Sequence, residues 1–106
     1  MPTMSPDVFI QIVRFRVTRG RAEPLMQAIF EHLDDWVRRC DGFVSSNFHV
    51  SDDGHHVINY AQWRDKAAFE AFRQHPRQFE LQGAIAAQAP EQAEADNFAL
   101  TRSVTT

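Results

Sequence analysis

The feature that most constrains this chain is a repeated switch in the spacing of its apolar residues. Over 8–17 they alternate. Phe9, Val13, Phe15 and Val17 fall on one face, with Gln11 as the polar exception, and Val8, Ile10 and Ile12 fall on the other, ahead of Arg14 and Arg16. A period of two belongs to a β-strand, and apolar residues on both faces at its start suit a central strand. After the turn Thr18-Arg19-Gly20 the spacing becomes helical. Leu25, Ile29, Leu33, Trp36 and Cys40 recur three or four residues apart, and Met26, Phe30 and Val37 widen the stripe. Pro24 is tolerated in the first turn, where its missing N–H loses no helical bond. Asp41-Gly42 is read as the end of this helix, with Gly42 free to adopt the left-handed cap.

The switch then repeats. Phe43–Val50 reads as a second strand, Asp52-Asp53-Gly54 as a tight turn, and 55–63 as a third strand ending Asn59-Tyr60-Ala61-Gln62-Trp63. Asp65 is placed to cap a second helix that turns Phe69 and Phe72 inward, and Pro76 interrupts it. A shorter helix over 77–88 carries Phe79, Leu81 and Ile85 before Ala89-Pro90 breaks it. The face formed by Phe98, Leu100 and Val104 marks 97–104 as a last strand. The order βαββαβ is the split-βαβ or ferredoxin-like arrangement, an α+β fold with one antiparallel sheet and helices on one face. The other face needs cover, and a two-fold copy of the same sheet would supply it.

A length of 106 residues suits one domain over 8–106, with 1–7 as a flexible lead-in. Nine Phe and two Trp are many large side chains for one helical layer to bury, which also points to a homodimer. The net charge is −3 and no Lys/Arg cluster could track a phosphate backbone, which argues against nucleic acid as a partner. Cys40 is the sole cysteine, so no internal disulfide forms, and no Cys/His spacing suggests a metal. No leader pattern and no run near the ~20 apolar residues of a membrane span is visible. The expectation is a cytoplasmic protein without a membrane partner.

Asn59 and Trp63 lie four apart on a strand and point the same way, with small Ala61 between them. That face offers an amide, a gap and an indole N–H, a set suited to a flat aromatic ligand bearing a carbonyl or phenolate oxygen. The same residues would also serve as a core aromatic and a satisfied buried amide. His49 joins the face only in one hairpin register. A two-residue Asp53-Gly54 loop puts Phe48 opposite Asn59 and turns His49 away. A three-residue Asp52-Asp53-Gly54 loop puts His49 opposite Val57, on the face of Asn59. The Asp-Asp-Gly composition favours the second form, which would leave an imidazole free for acid–base work. His55 and His56 are adjacent and point to opposite faces. His32 is expected to be solvated, His75 to sit at a helix end, and Cys40 to act as a small buried hydrophobe.

The stretch Phe43-Val44-Ser45-Ser46-Asn47-Phe48-His49-Val50-Ser51, then Asp53-Gly54, then Val57-Ile58-Asn59-Tyr60-Ala61-Gln62-Trp63 resembles the antibiotic biosynthesis monooxygenase (ABM) domain family. More narrowly, it resembles the quinone-forming monooxygenases of aromatic polyketide pathways, over about residues 8–104. The resemblance implies a dimeric α+β barrel with a pocket between sheet and helices. It also implies oxidation of a phenolic or anthrone-like small aromatic substrate to a quinone, with dioxygen (O2) as co-substrate and no metal, flavin or haem. Asn59 and Trp63 would bond the substrate oxygens or the peroxide, and His49 would assist proton transfer. Phe69, Phe72 and Gln82 would border the substrate pocket. Two positions depart from some relatives: Phe69 stands where they carry a Tyr, and Gln82 where they carry an Arg. These departures give weight to a non-catalytic binding or stress-response module of the same fold. A haem-degrading relative would need an Asn on the first strand and an axial His on the second helix. The first strand has no Asn, and His75 sits beside Pro76.

Overall fold

The computed structural model describes residues 8–99 and 102–106. Four strands, β1 (Phe9–Arg16), β2 (Phe43–Val50), β3 (His56–Trp63) and β4 (Gln92–Ala99), form one antiparallel sheet in the order β2-β3-β1-β4. Helix α1 (Ala22–Asp35) and a short 3-10 turn at Val37–Arg39 connect β1 to β2. Helices α2 (Lys66–Arg73) and α3 (Gln78–Ala87) connect β3 to β4. This is the ferredoxin-like α+β arrangement, with β1 and β3 as the central strands.

The register explains where the core lies. Phe9, Gln11, Val13 and Phe15 pair with Trp63, Ala61, Asn59 and Val57, so these residues share one face of the sheet. Phe15, Val57 and Trp63 from that face pack with Leu25, Ile29, Phe69 and Leu81 from the helices. The opposite face carries Ile10, Ile12, Ile58, Tyr60 and Phe98 among polar residues, and none of these belongs to that core cluster.

Two connections fasten the site-bearing end of the sheet. Asp65 caps α2 by accepting from the Ala68 N–H at 2.8 Å. Arg64 makes a two-pronged contact with Asp41, 3.2 and 3.0 Å, and its N–H donates to the Gly42 carbonyl at 2.7 Å. Gly42 has φ +83°, and a Cβ there would lie 2.4 Å from the Ala68 Cβ. The position therefore requires glycine twice, for backbone conformation and for the approach of α2.

Three expectations change. The first helix stops at Asp35, short of Cys40, because Trp36 leaves helical geometry at φ −140°. The guanidinium of Arg39 then bonds the carbonyls of Asp34 and Asp35, satisfying helix-end acceptors. His32, expected in solvent, is half-buried and accepts from Trp36 Nε1–H at 2.9 Å. The last strand is Gln92–Ala99, five residues ahead of the expected 97–104. Its pairing runs from Arg16↔Gln92 to Phe9↔Ala99, matching the full length of β1. Val104 is 94% exposed and outside any strand. The lead-in at 1–7 and Leu100 lie outside the described residues.

Candidate functional site

Strand β3 presents Val57, Asn59, Ala61 and Trp63 toward the helices. Trp63 is 1% exposed and held by aromatic contacts on several sides. Phe72 stacks on it with centroids 4.7 Å apart, and Phe43 meets it edge-on at 5.3 Å. Phe69 meets it edge-on at 6.3 Å and stacks on Phe9 at 4.9 Å. This packing sets the indole plane, while its Nε1–H has no hydrogen-bond partner among the described residues. Asn59 is oriented differently. The Ser46 hydroxyl on β2 donates to Asn59 Oδ1 at 2.6 Å, the length of an O–H···O bond. One lone pair of the amide oxygen is thus engaged, and its NH2 end remains to donate.

These groups border a cavity of about 640 Å³ between sheet and helices. Its floor includes Gln11, Asn59, Ala61 and Trp63 from the sheet; Phe69, Phe72 and Leu81 form the helical wall. Such a volume, mostly apolar with a few placed polar groups, is that of a small-molecule site. Arg73 and Glu94 are its charged lining residues among those described. Arg73 pairs with Glu70 at 3.7 Å, and Glu94 accepts from Gln92 at 2.8 Å on the edge strand. No cluster of three or more His, Cys, Asp or Glu side chains that could hold a metal ion occurs among the described residues. No helix among them is long and apolar enough to cross a membrane.

The structure brings Asn59, Trp63, Phe69, Phe72 and Gln82 to one cavity. Phe69 is buried; Gln82 is exposed at the mouth and donates to Gln78 Oε1 at 3.4 Å. His49 is not brought in. Phe48 pairs with Asn59 and His49 with Ile58, so the imidazole lies on the opposite face, exposed. The favoured three-residue turn does not form. Asp53 Oδ1 instead accepts from the Ser51 hydroxyl at 2.7 Å and the His55 N–H at 2.9 Å. Ser51 N–H then bonds the His56 carbonyl, closing a longer loop in the other register. His75 lies beyond the end of α2, stacks on Trp36 at 4.3 Å and does not line the cavity. Cys40 is partly buried, and that burial raises its thiol pKa.

Gln11, Ser46, Gln78 and Arg73 also border the cavity and were not singled out from sequence. Gln11 had left a signal, as the polar break in an apolar alternation. Ser46 could be placed only once the hairpin register was known.

The antibiotic biosynthesis monooxygenase family model matches residues 8–83. The chain belongs to this family. It is 41% identical over 73 residues, 69% of its length, to the tetracenomycin-F1 monooxygenase of Streptomyces glaucescens, and the match spans 65% of that relative. Among solved structures, the monooxygenase from ActVA-Orf6 of Streptomyces coelicolor, in complex with nanaomycin D, superposes with a TM-score of 0.87. The two are 27% identical, and the match covers 95% of this chain and 94% of the other. SnoaB of Streptomyces nogalater, described as a cofactor-independent oxygenase, shares the fold with a TM-score of 0.78 at 22% identity, over 94% and 99% of the two chains.

Proposed function

We propose that this member of the ABM family is a cofactor-independent monooxygenase that oxidises a phenolic, anthrone-like aromatic to a quinone with dioxygen. The observation that carries the reading is the polarity of the floor. Asn59 is fixed with its NH2 end available, and Trp63 can only donate, so two N–H donors flank the gap above Ala61. Two donors converging on one gap suit an oxygen that gains negative charge. The ABM relatives support the same reaction class: the 41% identical relative is a tetracenomycin-F1 monooxygenase. An open cavity of about 640 Å³ also weighs against a module whose aromatics fill its own core.

In this reading the substrate loses its acidic C–H or O–H proton and becomes an electron-rich enolate, its oxygen bonded by Asn59 and Trp63. The enolate gives one electron to dioxygen, and the radical and superoxide combine to form a C–O bond. The peroxide takes up a proton. Loss of water breaks the O–O and C–H bonds and leaves the quinone carbonyl. One oxygen atom enters the product and the other leaves as water, so no external reductant is needed. The apolar wall of Phe69 and Phe72 orients the ring and excludes water from the enolate. His49 lies on the far face, so the imidazole is not assigned the proton step.

Oxygen uptake with anthrone, in buffer treated with chelator and without added flavin or haem, tests the reading. Asn59→Ala and Trp63→Phe are expected to lower kcat by about a hundredfold to a thousandfold each, the scale of one oxyanion donor. Unchanged turnover in both variants would remove these residues from the site.

A further inference from the structure

We propose that Gln11 determines which substrates the cavity accepts, by holding a second ring oxygen beside the one held at Asn59 and Trp63; the proposal rests on the oxyanion reading above. Three observations meet at this residue. It interrupts the row Phe9, Val13, Phe15, which otherwise presents apolar side chains to the helices. It is half-buried and lines the cavity. Its amide has no hydrogen-bond partner among the described residues. A half-buried amide in an apolar row gives the floor a polar group that a ligand can pair with, whereas a leucine there would extend the apolar floor.

The register gives the amide its task. Gln11 pairs with Ala61, the small residue between Asn59 and Trp63. It is therefore the diagonal neighbour of both, at about 7–8 Å between backbones, within reach of long side chains. The three residues form a triangle around the gap that Ala61 leaves open. On β1's other side the neighbour is Asn97, so the polar row continues toward the β4 edge. Asn59 and Trp63 offer N–H donors, as an enolate oxygen requires. Gln11 both donates and accepts, as a phenolic hydroxyl requires. The matching ligand is a fused aromatic with a hydroxyl flanking the oxygen that becomes the enolate, and not an arene with that one oxygen alone.

Dithranol carries such flanking hydroxyls and anthrone carries none, so the pair isolates the contact. Oxygen uptake with both is measured for the native chain, Gln11→Leu and Gln11→Met, two apolar replacements of similar length that suit the row. For dithranol, KM is expected to rise about tenfold with kcat changed by less than about twofold, the scale of a neutral hydrogen bond made in ground and transition state alike. For anthrone, neither parameter should move by more than about twofold. Tryptophan-fluorescence titration with danthron and anthraquinone, the corresponding quinones, should show the same selective loss without turnover. Equal weakening toward both members of a pair, or no change toward either, overturns the proposal. Selective loss of danthron binding without oxygen uptake in the native chain overturns the proposed reaction and leaves the role of Gln11 standing. Failure of the native chain to bind any of the four compounds overturns both.

Discussion

Asn59 and His49 are polar residues on neighbouring strands, yet only Asn59 reaches the cavity. The difference is one residue of register. Within a strand, the period of two placed Asn59 and Trp63 together without reference to anything else, which is why that pair was legible in the sequence. His49 depended on a turn, and the turn depended on where the Asp53 carboxylate found its donors. Those donors, Ser51 and His55, flank it on both sides and draw the loop open. Gln11 was visible as an anomaly, but its meaning required knowing that its face borders a cavity and not a packed core. The position of His49 leads to a specific expectation: His49→Ala leaves kcat within about twofold, because the imidazole lies on the sheet face away from the helices and does not line the cavity. A loss of about a hundredfold or more, the scale of a missing general base, would show that the imidazole takes part.

At the level of elements, the strands and helices with strong internal pattern were read well, and the failures fell where partners decide. Gln92-Ala93-Glu94-Ala95-Asp96 contains no β-branched or aromatic residue and so lacks a strand pattern of its own. It is a strand because the free edge of β1 accepts it along eight residues. Similarly, the stripe through Leu33 and Trp36 continues in sequence toward Cys40, while the helix ends where Arg39 turns back onto its carbonyls. The start of α2, by contrast, was legible because capping is local. Asp65 accepts from the Ala68 N–H and from Arg64, and these bonds hold its pKa below the ordinary 3.8. A carboxyl whose pKa is lowered by folding adds stability above its unfolded value and loses that contribution as pH falls through the folded value. Asp41, held down by the hydrogen bond and charge of Arg64, acts with the same sign. Asp65→Ala is therefore expected to lower Tm by about 4–8 °C near neutral pH, the usual effect of a lost helix cap in a domain of this size. The difference from the native chain should shrink on acidification below 3.8. A Tm gap that persists unchanged at low pH would show that the side chain acts by packing and not as a charged cap.

For the whole molecule, the two faces of the sheet pose different problems. One is covered by helices and encloses the cavity. The other offers Ile12, Ile58 and Tyr60 on the central strands and Phe98, 44% exposed, on the edge. Four strands of eight residues, at about 4.8 Å spacing and about 3.4 Å rise, cover roughly 500 Å² in plan. Side-chain relief brings such a face to the order of the about 800 Å² per partner typical of a specific interface. A two-fold copy would lay the same apolar row, half-buried in the single chain, against itself. We therefore expect sedimentation equilibrium to report a homodimer at micromolar concentration. Ile12→Lys, which sets a charge at the centre of that face and leaves the cavity side untouched, should shift the protein to monomer with its circular dichroism retained. A native chain that sediments as a monomer at this concentration would rule the arrangement out. An Ile12→Lys dimer as tight as the native one would place the interface elsewhere. If the monomeric variant also loses oxygen uptake, the second sheet is needed to hold β1 and β3 in the register that sets Gln11 between Asn59 and Trp63. If it keeps full activity, the catalytic geometry belongs to one chain, and the dimer contributes only stability.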